Sequence, residues 1–224
     1  MSGAPVIAFD NVVKIYHLPA GDVLALDQVS FSIQKGEFVS IMGPSGSGKS
    51  TLLNLMGCLD TPLSGTITIN GTDISTLNDD DLTHLRRDEI GFVFQYFNLF
   101  PLLNVIENVL FPYTLTKKDI TDKSRAITAL AAVGLEKRLY TNTPTELSGG
   151  QQQRVAIARS LVNDPAIILC DEPTGNLDSK TGSGIMDLMT ELNKTGRTII
   201  MVTHDPNIAA YSQRTIQVLD GRIV

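Results

Sequence analysis

Gly43-Pro44-Ser45-Gly46-Ser47-Gly48-Lys49-Ser50 fits the pattern G-x-x-x-x-G-K-[ST] without departure. Glycines at these positions let backbone N–H groups turn inward and approach phosphate oxygens closely. A helix opening at Lys49 adds unpaired N–H groups and the positive end of its dipole. Lys49 can then reach β- and γ-phosphates, and the Ser50 hydroxyl can ligate Mg2+. Farther along, Ile167-Ile168-Leu169-Cys170 runs into two carboxylates, Asp171 and Glu172. A buried strand that delivers Asp171 at its C-terminal edge puts it where open α/β sheets bind ligands. Asp171 would hold Mg2+ through water, and Glu172 is a candidate to orient or deprotonate an attacking water. A strand with an acidic end means little alone, but downstream of a phosphate loop it is informative. Leu147-Ser148-Gly149-Gly150-Gln151 places a serine in an N-cap-like position ahead of two glycines and a helical pattern. It reads as a second anion-binding helix end, too far along the chain to belong to the first loop.

These residues need elements to hold them. Residues 38–42 form a nearly continuous apolar run, the kind buried on both faces of a parallel sheet. The glycine-rich turn and a helical pattern over 50–58 follow it, which is the order a phosphate-binding unit requires. Ahead of them lie strand-like runs at 6–9 and 25–33, the second alternating after a short irregularity. Residues 66–69 followed by Asn70-Gly71 read as a strand ending in a tight turn. The run Asp79-Asp80-Asp81 precedes a helical stretch ending at Arg86-Arg87, with charges that complement a helix dipole. Residues 90–94 look like another buried strand.

From Gln95 to about Ser160 the character changes. Proline and asparagine punctuate 98–112, then helical patterns cover 124–133, with Gly134 as a stop, and 151–161. Strands return at 166–170 and 198–202 around a helix over 184–194, and a hairpin-like element at 215–219 with Asp220-Gly221 follows. Strands alternating with helices predict an α/β fold with a helical stretch inserted into it. No internal repeat of 20–50 residues is visible.

The chain has 224 residues, which at roughly 150 per domain means one or two domains. Eighteen Lys plus Arg against 24 Asp plus Glu give a formal charge of −6, which argues against a broad nucleic-acid footprint. Charged residues at 19% and apolar residues at 42% exclude a disordered chain. Cys58 and Cys170 lie far apart in apolar stretches, so free thiols in a reducing cytoplasm are expected. No run approaches the roughly 18 apolar residues of a bilayer span, and residues 1–10 carry no secretory pattern. Little chain follows Gly221, so no C-terminal regulatory domain is expected. Any membrane role is expected to come through a partner.

With these motifs in this order, residues 5–224 resemble the ATP-binding subunit of an ABC transporter. In that family the LSGGQ signature, here 147–151, caps the γ-phosphate of an ATP held by the other subunit of a dimer. The resemblance implies a P-loop NTPase core with an N-terminal antiparallel β subdomain (1–94 and 161–224) and a helical subdomain carrying the signature (95–160). It implies that each ATP lies between residues 43–51, Thr51 included, of one chain and Ser148, Gly149, Gly150 and Gln151 of the other. Tyr16 matches the aromatic residue that stacks on adenine, and Gln95 the glutamine that contacts Mg2+ or water and senses the membrane partner. Asp178 matches the residue that contacts the opposite phosphate loop, and His204 the switch histidine that touches the γ-phosphate. His17 and His84 keep a structural reading.

Asn54–Asp60 (NLMGCLD), Gly91–Leu99 (GFVFQYFNL) and Asp171–Asp178 (DEPTGNLD) resemble the lipoprotein-releasing and macrolide-export branch, often called LolD/MacB-type. That branch implies export or extraction of a hydrophobic, peptide-like or lipoprotein-like cargo through a separate FtsX/MacB-like permease, from the inner face of the membrane. A cell-division ATPase shares DEPTGNLD, so that alternative and other single-cassette, non-transport ATPases stay open. Fused double cassettes and coiled-coil repair ATPases do not fit one cassette without long heptads. A monomeric P-loop kinase leaves Ser148–Gln151 unexplained. Phe97, Leu99, Phe100, Leu102 and Leu103 form an apolar cluster beside Gln95, and any one of them fits the core of the helical stretch. The resemblance implies that the cluster as a whole is a groove for a short cytoplasmic helix of the transporter.

Overall fold

The computed structural model describes residues 4–19, 21–116 and 122–224; Met1–Gly3 of the N-terminal stretch lie outside the described residues. In chain order, its first half holds β1 (Ile7–Leu18), β2 (Gly21–Ile33), β3 (Phe38–Met42), α1 (Lys49–Met56), β4 (Ser64–Ile69), β5 (Thr72–Asp73), α2 (Asp79–Glu89) and β6 (Ile90–Val93). Then come α3 (Val105–Thr114), α4 (Ser124–Ala132), α5 (Gly149–Leu161), β7 (Ile167–Asp171), α6 (Ser179–Lys194), β8 (Thr198–Val202), α7 (Pro206–Ala209), β9 (Arg214–Leu219) and β10 (Arg222–Ile223). Four strands make an antiparallel sheet in the order β2-β1-β4-β5, and six make a second sheet in the order β10-β9-β3-β8-β7-β6. The strands from β9 to β6 run parallel, and only β10 turns back.

Alternation along the central strands sorts the core into two bodies of side chains. Ile167 and Leu169 of β7 face the antiparallel sheet and α1, together with Ile7, Ile67, Leu52 and Met56. Ile168 and Cys170 face the other way, onto Val109, Leu130, Ile157 and Met186 of the helices. The six-stranded sheet is therefore apolar on both sides, which is why β3, β7 and β8 read as unbroken hydrophobic runs. Helix α5 runs through position 160 to Leu161 and packs against β6, so the helical stretch shares its core with one face of the sheet.

Several elements differ from the sequence expectation. The stretch 98–112 is not merely punctuated loop: α3 occupies its second half. Asn104 and Glu107 form a capping box at its start. Pro112 lies inside the helix near its end, where it removes the N–H that would donate to the Asn108 carbonyl, and the helix stops two residues on. Helix α6 starts five residues earlier than its apolar pattern because Asp178 caps it, its carboxylate accepting from the Thr181 N–H at 3.0 Å. The acidic run 79–81 lies inside the first turn of α2, with Asn78 as the cap. The apolar cluster 97–103 is split. Leu99 packs on the core, Phe100 meets Phe111 with the rings tilted, and Leu102 is 93% exposed.

Candidate active site

Because β3, β6, β7 and β8 are parallel, their C-terminal ends share one edge of the sheet. The segments that leave there are residues 43–48, Gln95, Glu172 and His204. Gly46 and Gly48 have φ values of 77° and 108°, and a Cβ on Gly43 would lie 2.1 Å from the Val218 carbonyl oxygen. The loop is pinned from outside by the Gly221 N–H, which donates to the Ser47 carbonyl at 2.9 Å. Inside it, Ser47 is buried with its hydroxyl unpartnered. The Leu52 N–H donates to the Gly48 carbonyl, which leaves the N–H groups of Lys49, Ser50 and Thr51 without acceptors in their own helix. Lys49 Nζ curls into the loop and donates to the carbonyls of Gly43 and Pro44, both at 2.8 Å. A glycine cradle with no room for a side chain at Gly43 or Gly48, an orphaned hydroxyl, helix-end donors and a cation fit a polyphosphate.

Asp171 ends β7 beside this loop. Burial pushes its carboxyl above the ordinary value and Glu172 adds to the rise, with Lys49 opposing both. Glu172 itself sits at φ 46°, an unusual backbone state for a non-glycine residue, which turns its side chain toward β8. One carboxylate oxygen accepts from the Thr203 hydroxyl at 3.2 Å; the other accepts from the His204 N–H at 3.1 Å and lies 2.6 Å from Nδ1. With Glu172 as a carboxylate, Nδ1 carries the proton, and Nε2 is left for a second partner. The His204 side chain is 76% exposed, so that nitrogen faces open space.

Gln95 leaves β6 and meets the loop after Glu172: its backbone carbonyl accepts from Asn176 at 2.9 Å, and its amide packs over Gly175. The signature segment sits on the same loop from the other side. Ser148 and Gln151 form a reciprocal capping box on α5. A Cβ on Gly149 would meet Leu177 at 3.2 Å, and one on Gly150 would meet Thr181 at 2.4 Å. Asp178 is exposed beside them as the cap of α6.

Tyr16 lies on β1, its hydroxyl donating to Asp60 at 3.0 Å, with Thr51 and Asn54 of α1 also beside the phenol. Sequence reasoning missed Gln153, which donates to the Pro173 carbonyl at 2.5 Å, and Arg159, which donates to the carbonyls of Phe97 and Asn98. Both project from α5 and fix the loops that carry Glu172 and Gln95. Their only local signal is a polar residue on a helix with a buried face.

The family model described as ABC transporter matches residues 26–175. The ABC transporter ATP-binding protein MJ0796 of Methanocaldococcus jannaschii is 51% identical, the match covering 97% of this chain and 94% of that protein. Its dimeric structure in a post-hydrolysis state with ADP and Pi has a TM-score of 0.87 to this chain at 49% identity, covering 97% and 96% of the two. The macrolide export ATP-binding/permease protein MacB of Hyphomonas neptunium is 47% identical across 98% of this chain, which spans 34% of that longer protein. The cradle for a polyphosphate, the paired Glu172 and His204 and these likenesses have one conclusion in common: the chain belongs to the ABC transporter family, as an ATP-binding cassette and an ATPase.

Proposed function

We propose that two copies of this chain close head to tail around two ATP molecules and so power export or extraction by a separate permease. One observation carries the reading. The glycines of the phosphate loop pack against Ala25, Val218 and Gly221, whereas Gly149 and Gly150 pack against Leu177, Thr181 and Phe97. The two anion-binding helix ends thus sit in different neighbourhoods of one chain, and a second chain brings them together on one triphosphate. The dimeric MJ0796 structure supports this. Closure is driven by charge, since the γ-phosphate gains its last donors only when the second helix end arrives.

In this arrangement residues 43–51 hold the phosphates, Tyr16 takes the adenine, and Ser148 to Gln151 close over the γ-phosphate from the partner. Among the described residues no group of three or more His, Cys, Asp or Glu forms a metal cage, so Mg2+ would draw on Ser50, Asp171, Gln95 and the phosphates themselves. That ion would neutralise charge on the transferring phosphoryl group. Glu172 orients or deprotonates the attacking water, while His204, held by Glu172 through Nδ1, contacts the γ-phosphate by donating from Nε2, which requires a proton on both ring nitrogens. Asp178 contacts the opposite loop. The ATP-binding part corresponds to residues 1–94 and 161–224, and the signature-bearing part to 95–160.

Likeness to MacB supports export of a hydrophobic or peptide-like cargo, with a permease as the membrane anchor. No helix among the described residues is long and apolar enough to cross a membrane. The docking surface for that permease is a groove of about 440 Å³ beside Gln95, lined by Phe92, Phe94, Phe100, Phe111 and Leu115 with Arg159 at its edge. Replacing Glu172 with Gln should preserve ATP binding, slow hydrolysis strongly and accumulate an ATP-bound dimer on size-exclusion chromatography with Mg-ATP. A monomer at every protein concentration would overturn the head-to-tail reading. Copurification of a four-span membrane protein with a large extracytoplasmic domain would identify the export branch.

A further inference from the structure

We propose that Asp60 is a positioning residue for the nucleobase, holding the Tyr16 ring in register with the phosphate loop. The proposal rests on the reading of Tyr16 as the adenine platform. Lys14 and Tyr16 stand two apart on β1, so their side chains share one face of the strand. The Lys14 ammonium lies 5.1 Å from the Tyr16 ring centroid, and both side chains converge on one carboxylate. Lys14 Nζ donates to Asp60 Oδ1 at 2.5 Å, and the Tyr16 hydroxyl donates to Oδ2 at 3.0 Å. Lys14 also donates to the Thr61 carbonyl at 2.8 Å, and the Thr61 N–H closes back on Oδ1 at 2.7 Å.

Asp60 lies four residues beyond the end of α1, whose first turn carries Lys49 and Ser50. The carboxylate therefore connects the strand that bears the aromatic ring to the helix that bears the phosphate-binding residues. Tyr16 on its own has two free torsions near the end of a long antiparallel strand, and β1 is irregular in its pairing with β2 at Val12, Lys14 and Ile15. A tether at the hydroxyl removes that freedom without engaging the ring face opposite Lys14. The pair is shielded enough to have a defined geometry, with Lys14 and Asp60 side chains 13% and 26% exposed. Burial alone would raise the Asp60 carboxyl, but Lys14, the Thr61 N–H and Tyr16 together hold it below its usual value. Lys14 thereby neutralises the carboxylate that would otherwise stand beside an incoming polyanion.

The test is steady-state ATP hydrolysis by the purified chain carrying Tyr16→Ala, Tyr16→Phe, Asp60→Ala or Asp60→Asn, with inorganic tripolyphosphate as a competitive inhibitor. Tyr16→Ala reports the platform itself and should raise the KM for ATP about tenfold. Tyr16→Phe keeps the ring and deletes the tether, and Asp60→Ala deletes it from the other end. Each should raise the KM about fivefold. For Asp60→Ala, kcat and tripolyphosphate inhibition should both stay within about twofold of wild type. Asp60→Asn, which keeps an acceptor for the phenol, should fall between. A KM unchanged in Tyr16→Ala overturns the base platform and the tether with it. A KM raised in Tyr16→Ala but unchanged in Tyr16→Phe and both Asp60 variants overturns the tether alone. Loss of tripolyphosphate inhibition in parallel with ATP would show that Asp60 braces the phosphate loop, and would equally overturn it. Should Asp60→Ala fail to fold, Tyr16→Phe and Asp60→Asn decide the question.

Discussion

Lys49 spends its hydrogen bonds on the carbonyls of its own loop, whereas Glu172 spends its own on the residues after β8. The first arrangement stores a cation in the glycine loop, and the second fixes the aim of the carboxylate proposed as the base. Removing the aim should hurt chemistry more than binding. His204→Ala is expected to lower kcat by about 100-fold with a small change in the KM for ATP, measured by steady-state phosphate release. The two thiols make a second residue-scale prediction. Burial pushes Cys58 up to about 11, opposed by Arg86, and raises Cys170 as well, with Asp171 adding to the rise. Both are buried and protonated at pH 8, so a thiol-reactive dye should label none in the native protein and two after denaturation. The sign for stability follows: Cys58 favours the fold below pH 9 and loses that contribution as pH rises toward 11. Residues 43–50, 148–151 and 171–172 were legible because each is a local signal, a turn, a cap or a strand end. Arg159 was not, since the carbonyl it serves at Asn98 is 61 residues away.

At the scale of elements, buried strands and dipole-matched helices could be read from apolar runs and charge, while boundaries depended on caps. Helix α3 was obscured because Pro112 and the asparagines look like loop punctuation, although Asn104-x-x-Glu107 is a capping signature. Asn108, one turn on, is fully buried and closes the loop before it. Its oxygen accepts from the Phe100 N–H at 2.7 Å, and its amide donates to the carbonyls of Phe100, Leu103 and Asn104. No pattern within the helix announces those partners. Replacing Asn108 with Leu would take their side-chain partner from the Phe100 N–H and the Leu103 carbonyl and should cost about 2–3 kcal/mol in denaturant unfolding. Asn104→Ala removes only one exposed cap and should cost about 1 kcal/mol. Equal losses in the two variants would mean that the loop does not depend on Asn108.

For the whole molecule, the proposed coupling to a permease would run from the sheet edge that gathers residues 43–50, Glu172 and His204 through the loop that starts at Gln95. Apolar composition and the family resemblance together marked 97–103 as the docking cluster, but neither says which way each side chain points. The structure divides that cluster: Leu102 is 93% exposed, while Phe100 and Phe111 tilt together with ring centroids 4.4 Å apart on the wall of the groove. Arg159 ties the signature helix to the same loop through Phe97 and Asn98, both in left-handed backbone conformations. In the proposed coupling, a partner seated in the groove would reach α5 through these Arg159 hydrogen bonds. Phe111→Asp should therefore abolish stimulation of ATP hydrolysis by reconstituted permease and leave hydrolysis by the isolated chain within about twofold, since Phe111 is 37% exposed. Leu102→Asp should leave both rates unchanged if the groove wall is the contact. If Leu102→Asp uncouples as fully as Phe111→Asp, the permease grips the exposed loop tip instead, and the groove is not its seat.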